Sequence, residues 1–162
     1  MHRPMPIRGS ILVATLALTL GACAHSKIPD TNIDDTEENR EVLDLVERYH
    51  RAVEALDPDA VLSLVSRDFY EDNGNTDSSD DYDYYGLEEG LRDSFERTKR
   101  MQLVLRVDAV EVEEDDAFAE LYYEFRAQNE YPSGLKWETG TDRTRLILVR
   151  APGGDWKIRG GL

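Results

Sequence analysis

Few side chains in this chain are suited to moving a proton or holding a ligand. His50 follows Tyr49 in the stretch YHRAVEALDP, and the other two histidines, His2 and His25, lie near the N-terminus. Imidazole titrates near neutral pH, which suits a general base. With one histidine beyond residue 25, two-histidine mechanisms and histidine-based metal clusters have no ligands to draw on. Asp142 and Arg143, in TGTDRTRL, form a second candidate site. A carboxylate in an apolar recess has its pKa raised and can act as a base; on a wet face it is only a surface charge. Adjacent strand residues point to opposite faces, so only one of the two enters a pocket. Leu146 and Leu148 share a face with Asp142, and Ile147 and Val149 share one with Arg143. Both faces are apolar, and the inward one stays open.

The stretch EDNGNTDSSDDYD, residues 71–83, holds six acids and no core residue. Asp77, Ser79, Asp81 and Glu88 fall at positions 1, 3, 5 and 12 of a calcium-loop pattern. Position 6, which needs a sharp turn and is normally Gly, is Tyr82. A solvated acidic loop is therefore expected, with Asp77, Asp81 and Glu88 as weak metal candidates. The chain has no G-x-S-x-G, H-E-x-x-H or phosphate-cradling glycine loop, and no cofactor is expected.

The lone cysteine, Cys23, speaks to location. Arg3 and Arg8 precede the apolar run Ile11–Leu20, which is shorter than the roughly 20 residues a spanning helix needs. Positive residues, a short apolar core and then small residues make a secretory signal. Leu20-Gly21-Ala22-Cys23 resembles the bacterial lipobox. The resemblance implies cleavage before Cys23 and lipid on its sulfur and amino group. Ala24 in place of Asp implies sorting to the outer membrane, facing the periplasm, in a host with two membranes. Residues 1–22 are then the signal peptide and 23–35 a lipidated flexible tether.

Of 34 acidic and 19 basic residues, the signal peptide removes two basic and no acidic ones, so the mature chain carries −17. Such acidity excludes nucleic acid as a partner, since phosphates need Lys and Arg. It equally opposes docking on anionic headgroups, which leaves the lipid anchor as the membrane contact.

The elements that must position these residues follow from periodicity. Val42, Leu45, Val46, Tyr49, Ala52, Val53 and Leu56 make a helical stripe, with Asp35 as its expected cap and Glu38 as the reciprocal partner. His50 flanks this stripe. Asp57-Pro58 starts a short second helix, and Leu87, Leu91 and Phe95 mark a third. From Leu103 the period is two. A bulge is expected at Asp108-Ala109, turns at EEDD and PGGD, and a loop at EYPSG. The last long strand is expected from about Lys136 to Arg150. Helices first and an antiparallel meander second predict an α+β domain with the helices on one sheet face.

YHRAVEALDPDAVLSLVS and the ending RLILVRAPGGDWKIRGGL together resemble nuclear transport factor 2-like, polyketide-cyclase-like domains over roughly residues 37–162. That resemblance implies a cone: a curved antiparallel sheet packed on three N-terminal helices within 36–162, with a pocket at the wide end. It places Asp142 and Arg143 on a strand crossing the cone. Tyr82, Tyr84, Tyr85 and Trp137 are the expected mouth, with packing of a loop on the sheet as the alternative, and Tyr49 and Arg143 are further ligand-pocket candidates. The fold hosts enzymes and assembly domains alike. The expected role is a binding module for a small apolar ligand or an envelope protein, with a homodimer through the sheet face as a further expectation. An isomerase or dehydratase is the rival.

Overall fold

The computed structural model of the protein describes residues 26–162. Cys23 and the signal segment lie outside the described residues. The expected loose tether is folded from residue 26 onward. Ile28 N donates to Ile33 O (2.9 Å), Lys27 bridges to Asp34, and Ile33 is buried. The physical reason is Ile33, an apolar side chain with a core to enter, together with Asn39, whose Nδ2 donates to Asp34 O at 2.8 Å.

Helix α1 (Glu37–Glu54) carries the expected stripe, with Val42, Leu45, Val46, Ala52 and Val53 buried. Its cap is Thr36, whose hydroxyl accepts from Asn39 N at 3.2 Å, and not Asp35. Asp35 pairs with the Arg40 guanidinium instead (2.5 and 2.8 Å). That hydrogen bond holds its carboxyl below the usual range. Helix α2 (Pro58–Ser63) starts as expected, with the Asp57 carboxylate accepting from Ala60 N at 2.9 Å. Strands β1 (Tyr70–Glu71) and β2 (Tyr82–Asp83) pair across the base of the acidic loop. Asp83 then caps α3 (Tyr84–Arg97) by accepting from Tyr85 N and Gly86 N.

The remainder is β3 (Thr98–Glu113), β4 (Asp116–Tyr131), β5 (Gly134–Arg150) and β6 (Trp156–Gly160). They form one antiparallel sheet in the order β3-β4-β5-β6. Register shifts at Val107/Ala109 and Ile147/Leu148 mark the bulges that bend it. β5 begins two residues earlier than expected, because Pro132 and Ser133 alone turn the chain between Tyr131 and Gly134.

The helices cover one end of the inner face. Ala117, Ala119, Leu121, Leu146, Leu148, Trp156 and Ile158 pack there against Val42, Leu45, Val46, Leu64, Val65 and Phe69. Burying each large aliphatic or aromatic side chain stabilises by about 1.5–3 kcal/mol. The fold class is α+β with the helices on one face of a curved sheet, as the element order predicts.

Two stretches of the sheet edge are partnered, one on β6 and one at Leu103 of β3, while β5 before Ile147 has no strand beyond β4. On β6, Ile158 N donates to Leu64 O (2.9 Å) and Ser66 N to Ile158 O (2.8 Å). On β3, side chains of α1 meet the edge at one residue. Leu103 N donates to the Glu54 carboxylate at 2.9 Å, and His50 Nε2 meets Leu103 O at 2.6 Å.

Candidate functional site

Beyond the helices the inner face of the sheet opens into a cavity of about 580 Å³. Tyr49 and Val53 of α1 form one wall. Met101, Leu103 and Leu105 of β3 and Tyr123 and Phe125 of β4 form another. Leu121 and Leu146 contribute the end nearest the core, and Asp142 and Thr144 of β5 complete the sheet side.

The remaining wall is built from segments that carry no periodic signal. Glu71, Asn73, Gly161 and Leu162 close the cavity against β5. Glu71 holds both partners: one carboxylate oxygen accepts from Gly161 N at 2.6 Å and the other from Asn73 N at 3.1 Å. Thr144 Oγ1 donates to Gly161 O at 3.0 Å, and the Tyr82 hydroxyl donates to Leu162 O at 2.8 Å. Gly161 has φ +86°, a conformation open to glycine at no steric cost.

Three hydroxyls set the electrostatics. Burial pushes the Tyr49 hydroxyl up to about 12, with smaller contributions from Tyr123 and Tyr82. Burial also raises Tyr123, helped by the Asp142 carboxylate, and raises Tyr82, helped by Glu71. All three are therefore neutral hydrogen-bond donors at physiological pH. The Tyr49 and Tyr123 hydroxyls have no hydrogen-bond partner among the described residues, so both are available to an oxygen atom of a ligand.

The alternation along β5 is resolved by Leu146 and Leu148, both fully buried. Their face is the inner one, and Asp142 shares it. Asp142 sits at the exposed mouth and accepts from Arg143 N at 2.7 Å. Arg143 turns its guanidinium to the outer face, over the Tyr122 ring and 3.8 Å from Asp108. It borders the cavity only as the neighbour of Asp142.

Other sequence candidates lie elsewhere. His50 faces Leu103 O and the carboxylates of Glu47 and Glu54, both at 3.7 Å, and is absent from the cavity lining. Tyr84 is a core residue with the Arg67 guanidinium stacked on its ring at 4.1 Å. Tyr85 is exposed on α3. Trp137 falls on the outer sheet face, where its cross-strand partner is Gln128 and Arg126 stacks on it at 4.3 Å. These three are corrections to the expected mouth. Period two sends Trp137 outward with Arg143, and the start of α3 turns Tyr84 into the core. Tyr82 donates to Leu162 at the rim, and Tyr49 lies in the cavity wall.

The calcium-pattern residues are dispersed. Asp77 accepts from Ser79 N (3.1 Å), Asp81 from the Tyr70 hydroxyl (2.5 Å), and Glu88 from Arg92 (2.9 Å). Among the described residues no three His, Cys, Asp or Glu side chains gather to hold a metal.

No protein-family model matches the chain, and no curated protein matches it in sequence. Solved structures do match it in shape. A ketosteroid isomerase-like protein from Erwinia carotovora atroseptica aligns with TM-score 0.64 and 18% identity over 78% of this chain and 94% of its own. A nuclear transport factor 2-like superfamily protein from Salmonella enterica serovar Typhimurium aligns with TM-score 0.60 and 17% identity over 75% and 86%. A candidate dehydratase of the same fold family from Streptomyces avermitilis aligns with TM-score 0.62 and 16% identity over 76% and 93%. At these identities the likeness speaks for the fold alone, and that fold is the nuclear transport factor 2-like cone.

Proposed function

We propose that this protein is a binding module that takes a small, mostly apolar ligand into its cone, held at a membrane of the cell envelope by lipid on Cys23. The observation that carries the reading is the cavity. Its volume lies within the usual range for small-molecule sites, and most of its walls are aliphatic and aromatic. Two unpaired tyrosine hydroxyls face it, and Glu71, Asn73, Asp142 and Thr144 supply its other polar side chains.

The reading is tested with N-phenyl-1-naphthylamine, a neutral apolar dye. Its fluorescence should rise on one saturable site and fall strongly in Leu105→Trp, which fills the cavity. Dye uptake indifferent to that substitution refutes the cone as the site. For the anchor, Cys23→Ser in the native host should abolish acyl labelling and membrane association. An envelope protein as the occupant predicts no dye uptake and capture of that partner instead.

A second reading, an isomerase or dehydratase, has one observation in its favour. Asp142 and the free hydroxyls of Tyr49 and Tyr123 border one cavity, so a base and hydrogen-bond donors share a space. Turnover of enolisable ketones or dehydratable alcohols that is lost in Asp142→Asn, with dye uptake retained, selects it.

A further inference from the structure

We propose that the cone selects an apolar ligand bearing a cationic head group, an alkylammonium-type amphiphile, whose charge is met at the mouth by Asp142 beside the ring of Tyr123. The inference rests on the binding reading above and deepens it. Asp142 and Tyr123 are cross-strand partners on adjacent strands, so carboxylate and ring stand side by side on the inner face. A carboxylate next to an aromatic ring suits an ammonium group, which gains ion pairing from one and cation–π attraction from the other.

The charges around the cavity favour the same sign of ligand. Its two acidic lining residues, Asp142 and Glu71, differ in what they have free. Both oxygens of Glu71 accept main-chain amides. Asp142 accepts one, through Oδ1, and its Oδ2 has no hydrogen-bond partner among the described residues. The one basic lining residue, Arg143, directs its guanidinium to the opposite sheet face, toward Asp108. An anionic amphiphile such as a fatty acid would therefore set its head against Asp142 with no guanidinium or ammonium to receive it. The loop from Glu71 to Asp83 carries six acids and reaches the cavity at Glu71 and Asn73, and its charge adds to the repulsion.

Asp142 is exposed, so water and salt screen the pair and the selectivity is moderate: about five- to tenfold. The test displaces N-phenyl-1-naphthylamine from the purified protein with three probes of equal chain length below their micelle concentrations: decyltrimethylammonium, decanol and decanoate. The expected order of potency is decyltrimethylammonium first, decanol about five- to tenfold weaker, and decanoate last. Asp142→Asn should bring decyltrimethylammonium to the level of decanol and leave decanol unchanged, whereas Asp142→Glu should keep the preference. A double variant of the loop, Asp77→Asn with Asp80→Asn, should keep it as well. Equal potency of decanol and decyltrimethylammonium on the parent protein overturns the inference and leaves the binding reading standing. A preference that survives Asp142→Asn but disappears in the loop variant reduces it to surface attraction and also overturns it. Failure of the dye and all three probes to bind overturns both.

Discussion

Replacing Gly161 by Ala should cost this domain more than most single substitutions in its core. A Cβ at Gly161 would lie 2.1 Å from the Arg145 carbonyl oxygen, 2.8 Å from its carbon and 3.1 Å from Leu146 Cα. All three are backbone atoms of a strand inside the sheet, so no side chain can swing aside. Alanine must also hold φ near +86°, which costs about 1 kcal/mol. Relief requires the 161–162 segment to lift away from β5 by about 1.4 Å, given ordinary contact distances of about 3.5 Å or more. Lifting sacrifices the Glu71–Gly161 bond, about 2 kcal/mol for a charged acceptor, and the Thr144–Gly161 bond, about 1 kcal/mol. The total is about 4 kcal/mol, a large share of the 5–15 kcal/mol that holds a typical domain. At roughly 3 °C per kcal/mol the midpoint should fall by about 12 °C. Scanning calorimetry reads the midpoint, and dye titration reads the cavity wall that the segment forms. A fall under about 3 °C with unchanged dye affinity would show that this segment bears little of the load.

Gly90, in the middle of α3, is the opposite case: a Cβ there meets nothing within 4 Å. Gly90→Ala should raise stability by about 0.5–1 kcal/mol through helix propensity, and a lowered midpoint in thermal unfolding would contradict the helix packing described. Tyr49 titrates near 12 in the fold against about 10 in the unfolded chain. Its contribution is thus complete below pH 10 and lost as pH rises from 10 to 12, about 2–3 kcal/mol in all. Denaturant unfolding of Tyr49→Phe should lose less over that window than the parent, and equal losses would refute the assignment. Removing both edge partners, His50→Ala with Glu54→Ala, should cost about 1–2 kcal/mol and promote concentration-dependent association by light scattering. His50→Gln, which keeps a donor for Leu103 O, should stay within about 0.5 kcal/mol of the parent.

The sequence revealed the positions of most elements but less of the cavity. The α1 stripe, the Asp57-Pro58 start and the bulge near Asp108 were legible because each depends on local chemistry. The inward face of β5 was not. Ile147 and Val149 on the outer face are as aliphatic as Leu146 and Leu148 on the inner, so alternation carries no contrast. Arginines stacked on Tyr122 and Trp137 keep aromatic residues on that outer face, which made Trp137 resemble a pocket residue. Glu71, Asn73, Gly161 and Leu162 escaped notice because main-chain hydrogen bonds recruit them, and such bonds leave little trace in residue type. The paired glycines where the final strand ends, Gly160 and Gly161, were the available sign of a close approach.

The covered edge of β6 also has a meaning in time. Lys157 Nζ donates to Ser63 O across 94 positions of sequence, and Ile158 lies between Leu64 and Ser66 on one side and Leu148 on the other. A ribosome adding 5–20 residues per second takes about 5–20 s to travel that distance. For that interval α1 and α2 have been made but lack the strand that seals them, and their apolar faces gain native partners only as α3, β3 and β4 appear. Contacts so distant in sequence also slow the search for the native state. Until β6 is in place the domain stays unclosed, and a holding chaperone would find its grip on the stripe from Val42 to Val53.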